Sequence, residues 1–269
     1  MNKLQIFCVT DKPIKNLENL DLNLAGVTDN KFSEKYIICK NGENINHKEK
    51  NYSELTFHYW FWKNELQKIP NDLWIGFCQK RRFWLQSGSR DMIKDYNDLK
   101  EKLLNEVPEA WKGYNAVVCK PISLKHPKFM KLLKRGKSNI IRNPSILFSK
   151  KNCSIKLHFD MHHGYGILDQ AVQLMNEKDR NDFNYFVSNQ NTFNPHIMFI
   201  AQKKIVNDWF TDLFGWLFEC EKKFGIKNLK GYDQERLYGY LAERYLPFWF
   251  KKYAKAIDWD WAFFDSEKH

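Results

Sequence analysis

The stretch Asp72-Leu-Trp-Ile-Gly-Phe-Cys-Gln-Lys-Arg-Arg-Phe-Trp84 decides the reading of the fold, because an unbroken apolar run ends in three adjacent cations. Leu73 to Cys78 has the pattern of a strand buried on both faces, as in a parallel sheet covered by helices on each side. Ligands of open α/β sheets sit just beyond the carboxyl ends of such strands, so Lys80, Arg81 and Arg82 are expected to meet an anion.

The segment before it, Tyr52 to Asn64, reads as an aromatic-rich helix packed on that strand, with Leu55, Tyr59 and Trp62 forming its core-facing row. Glu54 and Lys63 stand beside so apolar a surface that each needs a partner. Further upstream, Leu4 to Val9 is a first strand. It ends in Thr10-Asp-Lys-Pro13, a second turn at a strand's carboxyl end. Ile14 to Glu34 is polar and irregular, Tyr36 to Cys39 is a short apolar stretch, and Asn41 to Asn46 is a turn-rich loop.

Downstream, Tyr96 to Val107 is an amphipathic helix and Ala116 to Cys119 a short buried strand. His126 to Lys134 reads as a basic helix, Ser145 to Phe148 as extended, and Leu168 to Met175 as a helix. Phe193 to Ile200 reads as one apolar strand, and Lys203 to Phe224 as a long helix of 3.6-residue period. Asp233 to Leu246 is again helical, with Pro247 stopping or kinking it. The aromatic and basic tail from Phe248 to Phe264 is either a packed closing element or a membrane-facing edge. Strands separated by helices predict an α/β fold, a mostly parallel sheet flanked by helices with a helical C-terminal part.

At 269 residues, with aromatics at 16% and no Gly/Ser- or Pro-rich linker, the chain is expected to be one domain over residues 1–269. No run has the length of a transmembrane helix and the N-terminus has no signal-peptide pattern, so a cytoplasmic location is expected. The six cysteines form no C-x-x-C pair and suit reduced, buried thiols. The net charge of +11 is concentrated: Ala110 to Phe159 contains twelve Lys or Arg and no Asp or Glu, leaving the remainder almost neutral. Such a segment is either a solvated basic face or an attractant for nucleic acid, an anionic membrane or phosphorylated substrates.

The chain has no G-x-G-x-x-G, P-loop or G-x-S-x-G motif, which removes the usual marks of dinucleotide binding, NTP hydrolysis and α/β-hydrolases. Two clusters remain. In His158-x-Asp160-x-His162-His163, read as a strand, residues two apart share a face, so His158, Asp160 and His162 could converge on a cation, and such an N/O set suits manganese, iron or zinc. The alternative is a substrate-contacting loop in which His163 or Asp160 acts on a hydroxyl. Asp233, Glu235, Arg236, Glu243 and Arg244 form the second cluster, either a salt-bridged surface helix or a helix presenting its charges to a cleft.

Tyr52-Ser-Glu-Leu-Thr-x-x-Tyr-Trp-x-Trp-Lys-Asn64, Ile75-Gly-Phe-Cys-x-x-Arg-Arg-Phe83, Asn194-x-x-x-Met-Phe-Ile200 and Arg236-x-x-Gly-Tyr-Leu-Ala-Glu-Arg244 resemble, in order, the signature blocks of a bacterial family. That family is catalogued as domain of unknown function 4422, occurs in capsule, lipopolysaccharide and exopolysaccharide gene clusters, and is regarded as glycosyltransferases. Two departures stand out. Gln79 replaces the histidine that usually opens His-Tyr-Arg-Arg, and the usual Asn-Met-Phe-Ile is expanded to Asn194-Pro-His-Ile-Met-Phe-Ile200. The layout is also similar to GT-A-type nucleotide-sugar transferases, although no Asp-x-Asp follows the central strand.

The resemblance implies a glycosyltransferase moving a sugar from a nucleotide-sugar donor to a glycan or lipid-linked glycan acceptor, with residues 1–120 binding the donor and 121–269 serving acceptor and catalysis. Donor binding is then assigned to Thr10, Lys12, Asn44, Glu54, Arg81 and Arg82. Asp160, His163, Asp233 and Glu235 are the candidate catalytic groups, while His162, Asn194, Arg236, Glu243 and Arg244 contact the acceptor or position other groups. A divalent metal, Mn or Mg, would be held by Asp160 and His162. Peripheral contact with the anionic inner membrane is expected and nucleic acid is not. Two competing readings are another capsule-tailoring transferase, for example of a phosphoryl group, and a non-enzymatic polyanion binder.

Overall fold

Apolar side chains on the central strands alternate between two cores. Phe7, Val9, Ile75 and Phe77 are buried on one side of the sheet, and Ile6, Cys8, Trp74 and Cys78 on the other. The computed structural model describes residues 3–124, 137–142, 144, 153–227 and 229–268, the side chains of residues 139 and 232 excepted. The basic helix read at His126 to Lys134 and the extended segment at Ser145 to Phe148 lie outside the described residues.

The strands are β1 (Leu4–Thr10), β2 (Asn23–Gly26), β3 (Tyr36–Ile38), β4 (Trp74–Gln79), β5 (Arg82–Trp84), β6 (Ala116–Cys119), β7 (Ile122–Ser123), β8 (Thr192–Phe193), β9 (Phe199–Gln202), β10 (Ala256–Trp259) and β11 (Trp261–Phe263). The main sheet runs β10-β6-β9-β4-β1-β2-β3, with β5 paired antiparallel to the end of β4 and β11 paired to β5. Along that path only β9 opposes its neighbours; β1 pairs in parallel with both β2 and β4. The α/β reading with a mostly parallel sheet holds.

Helix Leu55–Asn64 is buried at every position from Leu55 to Phe61, more fully than a single core-facing row implies. It lies between the sheet and helix Lys203–Phe224, where Phe57 and Phe61 meet Phe7 and Phe77, and Tyr59 meets Phe214 and Phe218. Full burial of one such aromatic side chain contributes roughly 1.5–3 kcal/mol, so this layer anchors the sheet's ends.

Four expectations change. A strand, β2, lies within the segment read as irregular, where Leu24 and Ala25 are buried. The run from Phe193 to Ile200 is two strands, broken at Asn194-Pro195-His196; His196 has φ 68° and Asn194 Nδ2 donates to Cys119 O (2.6 Å) and Asp258 Oδ1 (2.8 Å). Pro195 withholds a ladder donor, which a central strand cannot tolerate. Pro247 lies inside helix Leu237–Tyr253 and does not end it, because Leu246, Phe248, Trp249 and Phe250 are all buried there. Ile155–His163 is a helix, not a strand. The C-terminal tail is the packed closing element: Trp259, Trp261 and Phe264 are buried and β10 pairs in parallel with β6. All six cysteines are buried, and no disulfide joins any two of them.

Candidate functional site

A cleft of about 370 Å³ opens at the carboxyl ends of β1 and β4. Thr10 and Asp11 reach it from β1, and Gln79, Lys80, Arg81 and Arg82 from the β4–β5 hairpin. Ser53 and Glu54 come from the head of helix Leu55–Asn64. His196 comes from the turn before β9, while Arg236, Gly239, Tyr240 and Glu243 come from the helical C-terminal part. Gly239 lies inside helix Leu237–Tyr253, where a Cβ would meet nothing within 4 Å. Gly239 stands in the first turn of that helix, and its lack of a side chain leaves this part of the wall open.

The hairpin cations differ in their engagements. Lys80 Nζ lies 2.7 Å from Asp11 Oδ1 and 2.7 Å from Glu267 Oε1. Arg82 donates from Nε to His196 Nε2 (3.0 Å) and from Nη1 to Gln79 Oε1 (3.0 Å). By occupying the carbonyl of Gln79, Arg82 turns the amide nitrogen toward Glu54 Oε1, to which it donates. Arg81 Nε is buried and has no hydrogen-bond partner among the described residues. A buried donor left unmade costs about 1–3 kcal/mol, and this one lies in a residue that lines the cleft.

Across the cleft, the His196 backbone N–H donates to Glu243 Oε1 (2.8 Å) and its Nδ1 lies 3.6 Å from the same oxygen. Burial, reinforced by the guanidinium groups of Arg82 and Arg244 against the pull of Glu243, pushes His196 down to about 4. It is neutral at pH 7, with Nε2 accepting from Arg82. Burial by itself would raise the Glu243 carboxyl, but Arg244 and His196 hold it down at about 2. Arg244 bonds Glu243 Oε2, lies over the Phe193 ring at 4.6 Å and approaches His158 Nδ1 at 3.3 Å.

Of the residues singled out from the sequence, Thr10, Glu54, Arg81, Arg82, Arg236 and Glu243 line the cleft. The hydroxyl of Thr10 is engaged by its own turn, donating to Lys12 O at 2.6 Å. Lys12 is directed to Glu267 (2.7 Å) and Asn44 to the carbonyls of Lys40 and Gly42, so both brace loops outside the cleft. Asn194 holds the turn before β9, and Arg244 acts behind Glu243. Asp233 and Glu235 lie in the short helix Tyr232–Glu235, outside the cleft lining.

The histidine-rich segment is placed differently from its strand reading. On helix Ile155–His163, residues two apart point about 200° apart, so Asp160 and His162 do not converge on one ion. Asp160 Oδ1 accepts from Gly166 N–H (3.2 Å), while the rings of His158 and His162 meet at a tilt with centroids 4.8 Å apart. His163 is buried, its Nδ1 bonded to Asp233 O (2.8 Å) and its ring stacked on Tyr240 at 3.8 Å. Burial, and then Arg244, push His158 down to about 3; burial pushes His163 down to about 4. These side chains form the back of the cleft wall. Among the described residues no group of three or more His, Cys, Asp or Glu is arranged to hold a metal ion.

His196, Tyr240 and Ser53 were not singled out from the sequence. For His196 the signals were Pro195, which marks a break within an otherwise apolar run, and the expansion at Asn194-Pro-His; Ser53 and Tyr240 stood in quoted blocks without a role. The basic segment is also less uniform in space than in sequence. Lys112, Lys120 and Lys156 approach Glu109 (3.8 Å), Asp260 (2.7 Å) and Asp169 (2.5 Å). Lys125, Lys128, Lys131, Lys134, Arg135, Lys150 and Lys151 lie outside the described residues.

This architecture is shared with an enzyme of known class. The chain superposes on the apo structure of WbbM, a bifunctional glycosyltransferase, with a TM-score of 0.73 at 19% identity, covering 98% of this chain and 45% of that one. It spans less than half of that protein's length, and the likeness is one of fold. A family model, domain of unknown function DUF4422, matches residues 5–255, and the chain belongs to that family. No curated protein matches it.

Proposed function

We propose that the protein is a glycosyltransferase that moves a sugar from a nucleotide-sugar donor to a hydroxyl of a surface polysaccharide, capsule or lipopolysaccharide, whose acceptor end is a glycan or a lipid-linked glycan. The observation that carries this reading is the buried Nε of Arg81, without a hydrogen-bond partner among the described residues, in a cleft at the carboxyl ends of parallel strands. With Arg82 and Arg236 on the same cleft, it provides charged, directed N–H groups where the leaving diphosphate gains charge.

The three cleft carboxylates divide by their partners. Asp11 is tied to Lys80 and Glu243 to Arg244 and His196. Glu54 takes only the Gln79 amide, on Oε1, among the described residues. Glu54 is therefore the base of this proposal, a role closer to the reaction than donor binding alone. The acceptor oxygen forms a bond to the anomeric carbon, the bond from that carbon to the diphosphate oxygen breaks with its electron pair, and the acceptor proton passes to Glu54. His196 positions Arg82 and accepts no proton, since Nε2 is already engaged. The Asp160 and His162 pair does not fit a divalent ion, so no step runs through one.

A nucleotide-sugar donor carries with it a cytoplasmic location, and a lipid-linked acceptor carries contact with the anionic inner leaflet. Among the described residues no helix is long and apolar enough to cross a membrane. Titration calorimetry with nucleoside diphosphates and their sugars tests the reading on wild type and Arg81→Ala. One nucleotide family is expected to bind, with affinity at least tenfold weaker in the variant. Absence of binding by every nucleotide at millimolar concentration would overturn it.

A further inference from the structure

Among the described residues only two non-glycines have positive φ, Ser53 and His196, and both line the same cleft. His196 uses its conformation within the protein, because its backbone N–H reaches Glu243. Ser53 is different. At φ 53° and ψ −130° it adopts the mirror image of the first central position of a type II turn, a conformation dominated by glycine. A serine there is strained, and glycine would adopt the same backbone without penalty.

The flanking residues hold the strain in place. Ser53 N–H donates to Glu49 O (2.6 Å), and its carbonyl accepts from Thr56 N (3.1 Å) and Thr56 Oγ1 (2.8 Å). On the amino-terminal side, Asn51 Nδ2 donates to Glu235 O (2.8 Å) and Tyr52 OH to Glu221 Oε2 (2.6 Å). The side chain of Ser53 gains nothing from the protein in return. Ser53 is only 8% exposed, and its hydroxyl makes no hydrogen bond to any described residue. A strained serine whose hydroxyl takes no hydrogen bond from any described residue, on the wall of a cleft, has the features of a contact completed by a ligand.

We infer that Ser53 is a binding residue for the diphosphate of the nucleotide-sugar donor, its hydroxyl donating to a phosphoryl oxygen; this rests on the function proposed above. Two features point to phosphate. Ser53 and Glu54 head the ten-residue helix Leu55–Asn64, whose dipole favours an anion at this end. The Asn51 to Glu235 bond also ties this loop to the residue just before Arg236, so the hydroxyl and that guanidinium belong to one wall.

Two substitutions separate strain from contact. Ser53→Ala keeps a Cβ, and so the strain, while losing the hydroxyl; Ser53→Gly loses both. Calorimetry with inorganic pyrophosphate, the preferred nucleoside diphosphate, its nucleotide sugar and the bare nucleoside is combined with thermal melts. Both variants are expected to bind pyrophosphate and the diphosphate about tenfold more weakly and the nucleoside unchanged, while Ser53→Gly melts about 2 °C higher. Wild-type affinity for pyrophosphate and the diphosphate in either variant overturns the inference. So does a loss confined to the nucleotide sugar, which would assign the hydroxyl to the sugar. Failure of wild type to bind any of these probes overturns the parent reading instead, whatever the variants do.

Discussion

The β4–β5 hairpin and the helix Ile155–His163 are the two stretches densest in chemically capable side chains, and the fold treats them in opposite ways. Arg81 and Arg82 stand at a strand end, half-buried and lining a cleft. His158, His162 and His163 sit behind the wall, packed on one another and on Tyr240. Residue type is equally suggestive in both. Backbone period decides between them, since a strand that stops at a sheet edge projects its next residues into a crevice, whereas a helix against the core turns part of every four residues inward.

The largest expected effect tests that contrast directly. Glu54→Gln keeps the partner of Gln79 but cannot accept a proton, so kcat is expected to fall by about 10²–10⁴ with the donor KM little changed. His163→Phe retains the ring stack on Tyr240 and loses one buried hydrogen bond, so kcat should stay within about threefold while stability drops by roughly 1 kcal/mol. Steady-state kinetics alongside thermal melts read both. A hundredfold kcat loss in His163→Phe at unchanged melting temperature would break the comparison and return catalysis to the histidine segment.

Much of the frame was legible because burial on both faces leaves a plain mark. The run Leu73 to Cys78 and the strand at Leu4 to Val9 needed no partner information to be placed. The cleft was only half legible, since Thr10, Glu54, Arg81, Arg82, Arg236 and Glu243 converge from distant parts of the chain. The histidine segment was misread because His158-x-Asp160-x-His162 suits a strand at two-residue spacing and a helix at four-residue spacing equally well. His196 was hidden inside an apolar run. Ser53 stood in a quoted signature block without a role, since its distinction lies in a backbone angle.

A second, smaller difference between the regions is how they respond to acid. His58, His158, His163 and His196 are pushed below the ordinary 6.5, chiefly by burial, to about 3, 3, 4 and 4. Each has a folded value below its unfolded one, so its contribution to stability is present above about 6.5 and is lost as pH falls toward 4. Asp160 opposes them with one proton, so unfolding near pH 5 should take up roughly three protons. The arginines do not titrate, and nucleotide affinity should therefore hold between pH 8 and 6.5. Denaturation midpoints measured across pH, paired with calorimetry, would contradict this if stability stayed flat to pH 4.5 or affinity fell first.

Asp160 gives the smallest effect and the sharpest sign. Burial and the neighbouring Asp169 raise its carboxyl to about 6, against the Gly166 N–H and Lys156, which lower it. A carboxyl raised above its ordinary 3.8 on folding is most favourable when protonated, so its stabilisation is full below that value and is lost as pH rises through about 6. Asn at this position keeps an oxygen for Gly166 N–H and never ionises. Asp160→Asn should thus melt about 1–3 °C above wild type at pH 8, with the gap closing below pH 4 and kcat unchanged throughout. If Asp160 instead ligated a metal or took the acceptor proton, the same variant would lose activity at every pH without gaining stability. Helix geometry opposes that outcome, because its carboxylate is already committed to Gly166 on the side of the helix away from His162.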